Sequence, residues 1–169
     1  MLYSKLKCAA AILGIAASGT IASVATASPG SGVTPTTLVT ANYDEQGHVN
    51  SDRVKFQTKG ATDVRVQRLD FAAGSYSGWH HHPGIVVVAV QSGLVTLTHA
   101  DCSSKTYGPG SPNGAVFVEG HDSAQEARSA AGAVVYVTYV APDGAGFRLD
   151  DDPPSCATST TFRKVPTRK

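Results

Sequence analysis

From about Asp63 to Pro142 the chain is a series of short β-prone runs cut by clusters of glycine, proline and asparagine, and this punctuation constrains the fold more than any other feature. Residues 108–114, Gly-Pro-Gly-Ser-Pro-Asn-Gly, are the clearest break, since such residues favour turns and end both helices and strands. The runs between the breaks hold valine, isoleucine, threonine and aromatic residues, and no amphipathic helix of normal length can be drawn through them. Many short strands with little helix imply an all-β sandwich or barrel.

Five runs carry the expectation. Val64, Val66, Leu69 and Phe71 alternate with a slip at Arg68, which predicts a bulge or a change of sheet there. Ile85 to Val90 is apolar without alternation and reads as a strand buried on both faces. Leu94 to His99 alternates, Ala115 to Val118 is short, and Ala133 to Val140 places Tyr136 and Tyr139 on opposite faces, so at most one of them can line a pocket. A chain of 169 residues that is 41% hydrophobic can bury one ordinary core. Its formal charge of +1 gives no field that would hold nucleic acid or an anionic membrane.

The N-terminus reads as a secretory signal over residues 1–27. Lys5 and Lys7 precede an Ala-rich apolar run, and Ala25-Thr26-Ala27 offers the small-residue cleavage site. The run is broken at Ser18-Gly19-Thr20, short of the ~20 apolar residues a membrane span needs. The expectation is a secreted or otherwise extracytoplasmic protein, with no membrane attachment after cleavage. Residues 28–60 read as a flexible lead-in, to about Thr37, followed by first strands; residues 61–150 as the barrel; and residues 151–169 as a C-terminal segment and polar, basic tail. Export leaves two cysteines, Cys102 and Cys156, which are expected to pair. The bond would contribute about 4 kcal/mol in the chain-entropy model. Asp150-Asp151-Asp152 reads as a solvated acidic turn.

Chemistry concentrates in residues 74–93. His80 and His82 stand two apart on what reads as a strand, so they share a face while His81 points away. Two neutral imidazoles held together are ready ligands for a transition metal. Trp79 beside them is either a core aromatic or a stacking wall for a flat ligand. Hydrolase and nucleotide motifs are missing: Gly74-Ser75-Tyr76-Ser77-Gly78 has tyrosine where a nucleophile elbow needs serine, and no phosphate loop occurs.

Gly74, five residues, His80, one residue, His82 and a strand ending in Gly93 resembles the first motif of the cupins, jelly-roll β-barrels that bind a metal in their interior. The resemblance implies a single cupin-type barrel and places Val86 where that motif carries a glutamate. Gly114-Ala115-Val116-Phe117-Val118-Glu119 resembles the opening of the second motif, and counting onward puts Gln125 at the metal histidine and Ser129 at the closing asparagine. His121 could serve instead if the loop is re-registered. The implied ligand set is therefore His80, His82 and Gln125, the amide as a weak oxygen donor, for one divalent transition metal among Zn, Fe, Cu and Ni.

Two functions fit. The first is an exported barrel that binds a small molecule, with Trp79, His80, His82 and Gln125 shaping the pocket. The second is a metal-dependent enzyme of the oxygenase or isomerase kind on a small organic substrate, with Glu119 the candidate catalytic base. Pairing through an exposed edge strand would give a homodimer.

Overall fold

The computed structural model describes residues 29–120 and 123–158. The expected signal at 1–27, the alternative ligand His121 and most of the basic tail lie outside the described residues. Within them, twelve strands and one helical turn follow in order: β1 (Ser31–Tyr43), β2 (His48–Asn50), β3 (Lys55–Gln57), β4 (Thr62–Tyr76), β5 (His80–His81), β6 (Ile85–Gly93), β7 (Val95–His99), β8 (Ser104–Tyr107), β9 (Val116–Glu119), β10 (Gln125–Ser129), β11 (Ala133–Pro142), β12 (Leu149–Asp150) and α1 (Ser155–Thr158). The all-β expectation holds.

Ten of these strands form one antiparallel sheet that wraps into a barrel, and β2–β3 is a separate hairpin. One layer runs β1–β4–β11–β6–β9; the other holds β12, β5, β10, β7 and β8. The 15-residue β4 joins them. Its first part pairs with β1 and β11, and its end, Ser75 and Tyr76, crosses to pair with β10.

Alternation along each strand decides what faces inward. On β6, Val86, Val88 and Val90 are buried whereas Ile85 and Val87 are exposed. The valine run is thus one-sided, and the expectation of burial on both faces is corrected. The sequence hides the alternation because apolar residues occupy the outer positions too, beside Val116 and Val118 of β9. On β11, Val135 and Val137 are buried and Tyr136 lies outside.

Strand β4 supplies a second correction. Arg65, Gln67, Leu69 and Phe71 line the interior, an unbroken period-two series whose first two members are polar. The expected slip at Arg68 does not occur in β4, which pairs with β11 without a shift. The bulge lies in the partner strand, where Thr37 pairs with Gln67 and Val39 with Val66, leaving Leu38 extra. Nor is the chain before Thr37 a flexible lead-in: residues 31–37 belong to β1, and Val33 and Pro35 form part of the cavity wall.

The apolar core gathers Phe71, Val88, Val95, Leu97, Phe117, Val135 and Val137. Gly93 ends β6 in the left-handed region (φ 75°), and a Cβ there would lie 2.1 Å from the Gly132 carbonyl oxygen. Among the described residues no helix is long and apolar enough to cross a membrane.

Both the backbone conformation and the close approach at Gly93 oppose any side chain. Gly93→Ala is expected to destabilise the fold by at least ~2 kcal/mol, read as a lowered midpoint in urea unfolding with an unchanged slope.

Candidate metal centre

Strand β5 and the bend after it bring His80 and His82 to one end of the barrel interior. The His80 and His82 rings meet edge to face with centroids 4.8 Å apart, and both side chains are buried. His81 points the other way, as expected, and its Nδ1 lies 2.7 Å from an Asp151 carboxylate oxygen.

Each buried imidazole is anchored through Nδ1 on a main-chain carbonyl, His80 on Gly78 at 2.8 Å and His82 on Phe147 at 2.6 Å. A carbonyl can only accept, so both Nδ1 atoms carry the proton and, in the neutral rings, both Nε2 atoms present a lone pair. The His80 pKa is lowered to about 4, first by burial and then by the nearby Arg148 cation, against the opposing Gly78 hydrogen bond. That ring is neutral at ordinary pH.

The third group is Glu119, at the end of β9. Its Oε2 lies 3.1 Å from His82 Nε2, and ligand atoms of His80, His82 and Glu119 all fall within 4.8 Å of one another. With Nδ1 protonated, a neutral His82 would set a lone pair against a carboxylate oxygen. A cation relieves that contact, either a second proton on the ring or a metal ion shared by both groups. Two imidazoles and a carboxylate with fixed outer partners are a donor set suited to a divalent transition metal. The residues present fit such an ion.

Glu119 stands in register with Val86 across the β6–β9 pair. Directly opposed residues on one face bring their Cβ atoms about 5 Å apart. The carboxylate that the cupin resemblance puts at position 86 is therefore offered from the adjacent strand. Gln125, the implied third ligand, is buried in β10 opposite His80 but does not line the cavity, and its Nε2 has no hydrogen-bond partner. Glu119 thus joins the two histidines at the centre, while Gln125 stands across from His80 in the neighbouring strand and off the cavity wall. The counting that selected Gln125 ran through the 119–125 loop, where sequence carries no register signal. Trp79 is buried at 3% exposure and also lies off the cavity wall.

The centre opens into a cavity of about 490 Å³. Its walls include the apolar Leu69, Phe71, Val135, Val137 and Phe117, and the polar Arg65, Gln67 and Tyr139. Burial and the Glu119 charge push the Tyr139 pKa up to about 12, so the phenol stays neutral. The segment after β11 closes one side: Phe147, Arg148 and Asp150 line the cavity, and β12 pairs with β5. Arg148 donates to the Ser77 carbonyl at 2.9 Å and to Asp150 at 2.6 Å. Asp150 and Asp151 thus take ion-pair partners in this strap while staying in contact with solvent, as the acidic segment was expected to be. Tyr139 was weighed in the sequence; Phe147, Arg148 and Arg65 were missed, and no local pattern marks them.

No protein-family model and no curated protein matches the chain. Solved structures similar to it include a cupin-2 domain from Rhodospirillum rubrum, with 12% identity, 76% of this chain and 70% of that one covered, and TM-score 0.48. A cupin superfamily protein from Desulfitobacterium hafniense matches at 14% identity over 64% of this chain and 77% of that one, with TM-score 0.44. A salicylate 1,2-dioxygenase from Pseudaminobacter salicylatoxidans matches at 13% identity, covering 44% of this chain and 20% of that one, with TM-score 0.38. The first two of these neighbours are described as cupins, the family the sequence resembles. With every one of these TM-scores below 0.5, the chemistry of the site has to be read from this chain's own residues.

The depressed His80 pKa has a consequence for the metal-free protein. Between the unfolded value near 6.5 and the folded value of about 4, the unfolded chain binds the extra proton, so stability falls as pH drops through this window and levels off below it. The loss attributable to His80 is about 3 kcal/mol. Urea unfolding of metal-free protein at stepped pH should show this slope, and His80→Gln should flatten it.

Proposed function

We propose that the protein binds one divalent transition metal through His80, His82 and Glu119 and takes a small organic molecule into the adjoining cavity. The observation that carries this reading is the convergence of two buried imidazoles and a buried carboxylate, with ligand atoms of all three within 4.8 Å of one another. The residues choose a class of ion, with imidazole and carboxylate favouring Zn, Fe, Cu or Ni over Ca or Mg. Three protein ligands would leave coordination positions toward the cavity, whose apolar walls and few polar groups suit a small molecule.

Turnover is the second reading, and the donor set favours it, since two histidines and one carboxylate with open positions are the ligation of non-haem iron oxygenases. A bound ion would supply Lewis-acid or redox chemistry. The chain's own residues would orient the ligands through the Gly78 and Phe147 carbonyls, exclude bulk water with the strap, and offer the neutral Tyr139 hydroxyl as a hydrogen-bond donor. Glu119 then serves as a ligand, which removes it as a free base.

Export remains part of the proposal, with cleavage after Ala27 and a Cys102–Cys156 bond tying α1 to the β7–β8 turn. An intact mass of the secreted chain should begin at Ser28 and be two hydrogens lighter than after reduction. The exposed apolar outer face of β6 and β9 would suit a homodimer, read by sedimentation.

Elemental analysis of tag-free protein grown with supplemented metal tests the centre. Near-stoichiometric metal is expected in the wild type and none in the His80→Ala/His82→Ala double variant, with Glu119→Gln weakening affinity by ten-fold or more. Full metal retention in Glu119→Gln would return the third-ligand role to another group.

A further inference from the structure

Arg65 is a cation of the cavity wall that the fold leaves without a carboxylate. Arg148, the other arginine of the wall, is matched by Asp150, and Arg68 on the outer face by Asp70. Arg65 has no ion-pair partner among the described residues. Its Nε donates to Thr40 Oγ1 at 3.1 Å, and its guanidinium lies over the Phe147 ring, 4.0 Å from the centroid. Neither contact uses the two terminal amino groups, and no acceptor among the described residues takes them. A hydroxyl and an aromatic face thus hold the guanidinium in place, with its paired N–H edge unused.

The charges of the cavity point the same way. Arg148 and Asp150 cancel, and Glu119 offsets only one of the two charges of a divalent ion. One positive charge at the metal and one at Arg65 remain in a half-enclosed, largely apolar space. An anionic ligand offsets the charge at Arg65, and the fork of an arginine matches a carboxylate with two parallel hydrogen bonds. Phe147 links the two ends: its carbonyl orients His82, its ring carries Arg65, and it packs against Tyr139 with centroids 5.7 Å apart.

We propose that the cavity takes a small organic acid whose carboxylate docks on the Arg65 guanidinium while its apolar body lies against Leu69, Phe71, Val137 and Phe117. The charge count rests on the proposed metal; the unpaired arginine does not. The ligand class is therefore a carboxylate-bearing molecule with a compact hydrophobic part, and Arg65 is its specificity-determining residue.

Isothermal titration with benzoate and its neutral counterpart benzamide tests this on the mature chain, both metal-loaded and after chelator treatment. Wild type should bind benzoate at least ten-fold more tightly than benzamide and than acetate, which lacks the apolar body. Arg65→Gln should abolish the preference for the acid while leaving benzamide binding intact, which shows that the cavity is still folded. Arg65→Lys, which keeps the charge without the fork, should retain part of it, and Arg68→Gln should retain it all. A wild type without the preference, including one that takes up neither probe, overturns the proposal, as does a preference that survives in Arg65→Gln or, should that variant not fold, survives in full in Arg65→Met. A preference shown by protein that elemental analysis finds free of metal even after metal loading supports the arginine anchor and sinks the metal reading alone.

Discussion

The site depends on two hydrogen bonds from imidazole to backbone. The Gly78 and Phe147 carbonyls each accept a hydrogen bond from Nδ1–H of a buried histidine, and by doing so fix both the tautomer of the neutral ring and the direction of its Nε2 atom. Without them each ring could flip and offer its proton to Glu119. With them, two imidazoles and a carboxylate gather at one end of a cavity whose remaining walls are largely apolar. Such an arrangement needs a cation, a proton on the His82 ring or a metal ion, and the metal ion is the one that all three side chains can share.

The barrel turns this local geometry into a cavity. Long strands β4 and β11 carry inward residues from the apolar floor to the polar mouth, Phe71 to Arg65 on one and Val135 to Tyr139 on the other. Because β4 crosses between the layers, the chain that ends it leads directly into the histidine strand. The C-terminal strap then lies over that strand and brings Phe147, Arg148 and Asp150 into the wall.

Much of this was legible in the sequence. Turn residues between β-prone runs gave the fold class, and the i, i+2 spacing of His80 and His82 gave their shared direction. The one-sidedness of β6 was hidden because its outer positions are as apolar as its inner ones, and the cavity face of β4 was hidden because Arg65 and Gln67 look like surface residues. The carboxylate ligand illustrates a deeper limit. Linear counting can find a residue that has changed identity, but not a function that has moved sideways: Val86 and Glu119 are 33 positions apart in the chain and face each other across two strands. Strand pairing is a long-range fact, and only the folded register reveals it.

The group that steers the His82 ring is a peptide oxygen, and every residue type has one. Position 147 could change its side chain without losing that hold on the imidazole, although the aromatic seat under Arg65 would go. What matters for aiming the ring is the path of the chain between Pro142 and Leu149. A single inserted or deleted residue in that connection would redirect a ligand while leaving every coordinating side chain in place, so comparisons of residue identity alone would judge such a variant intact.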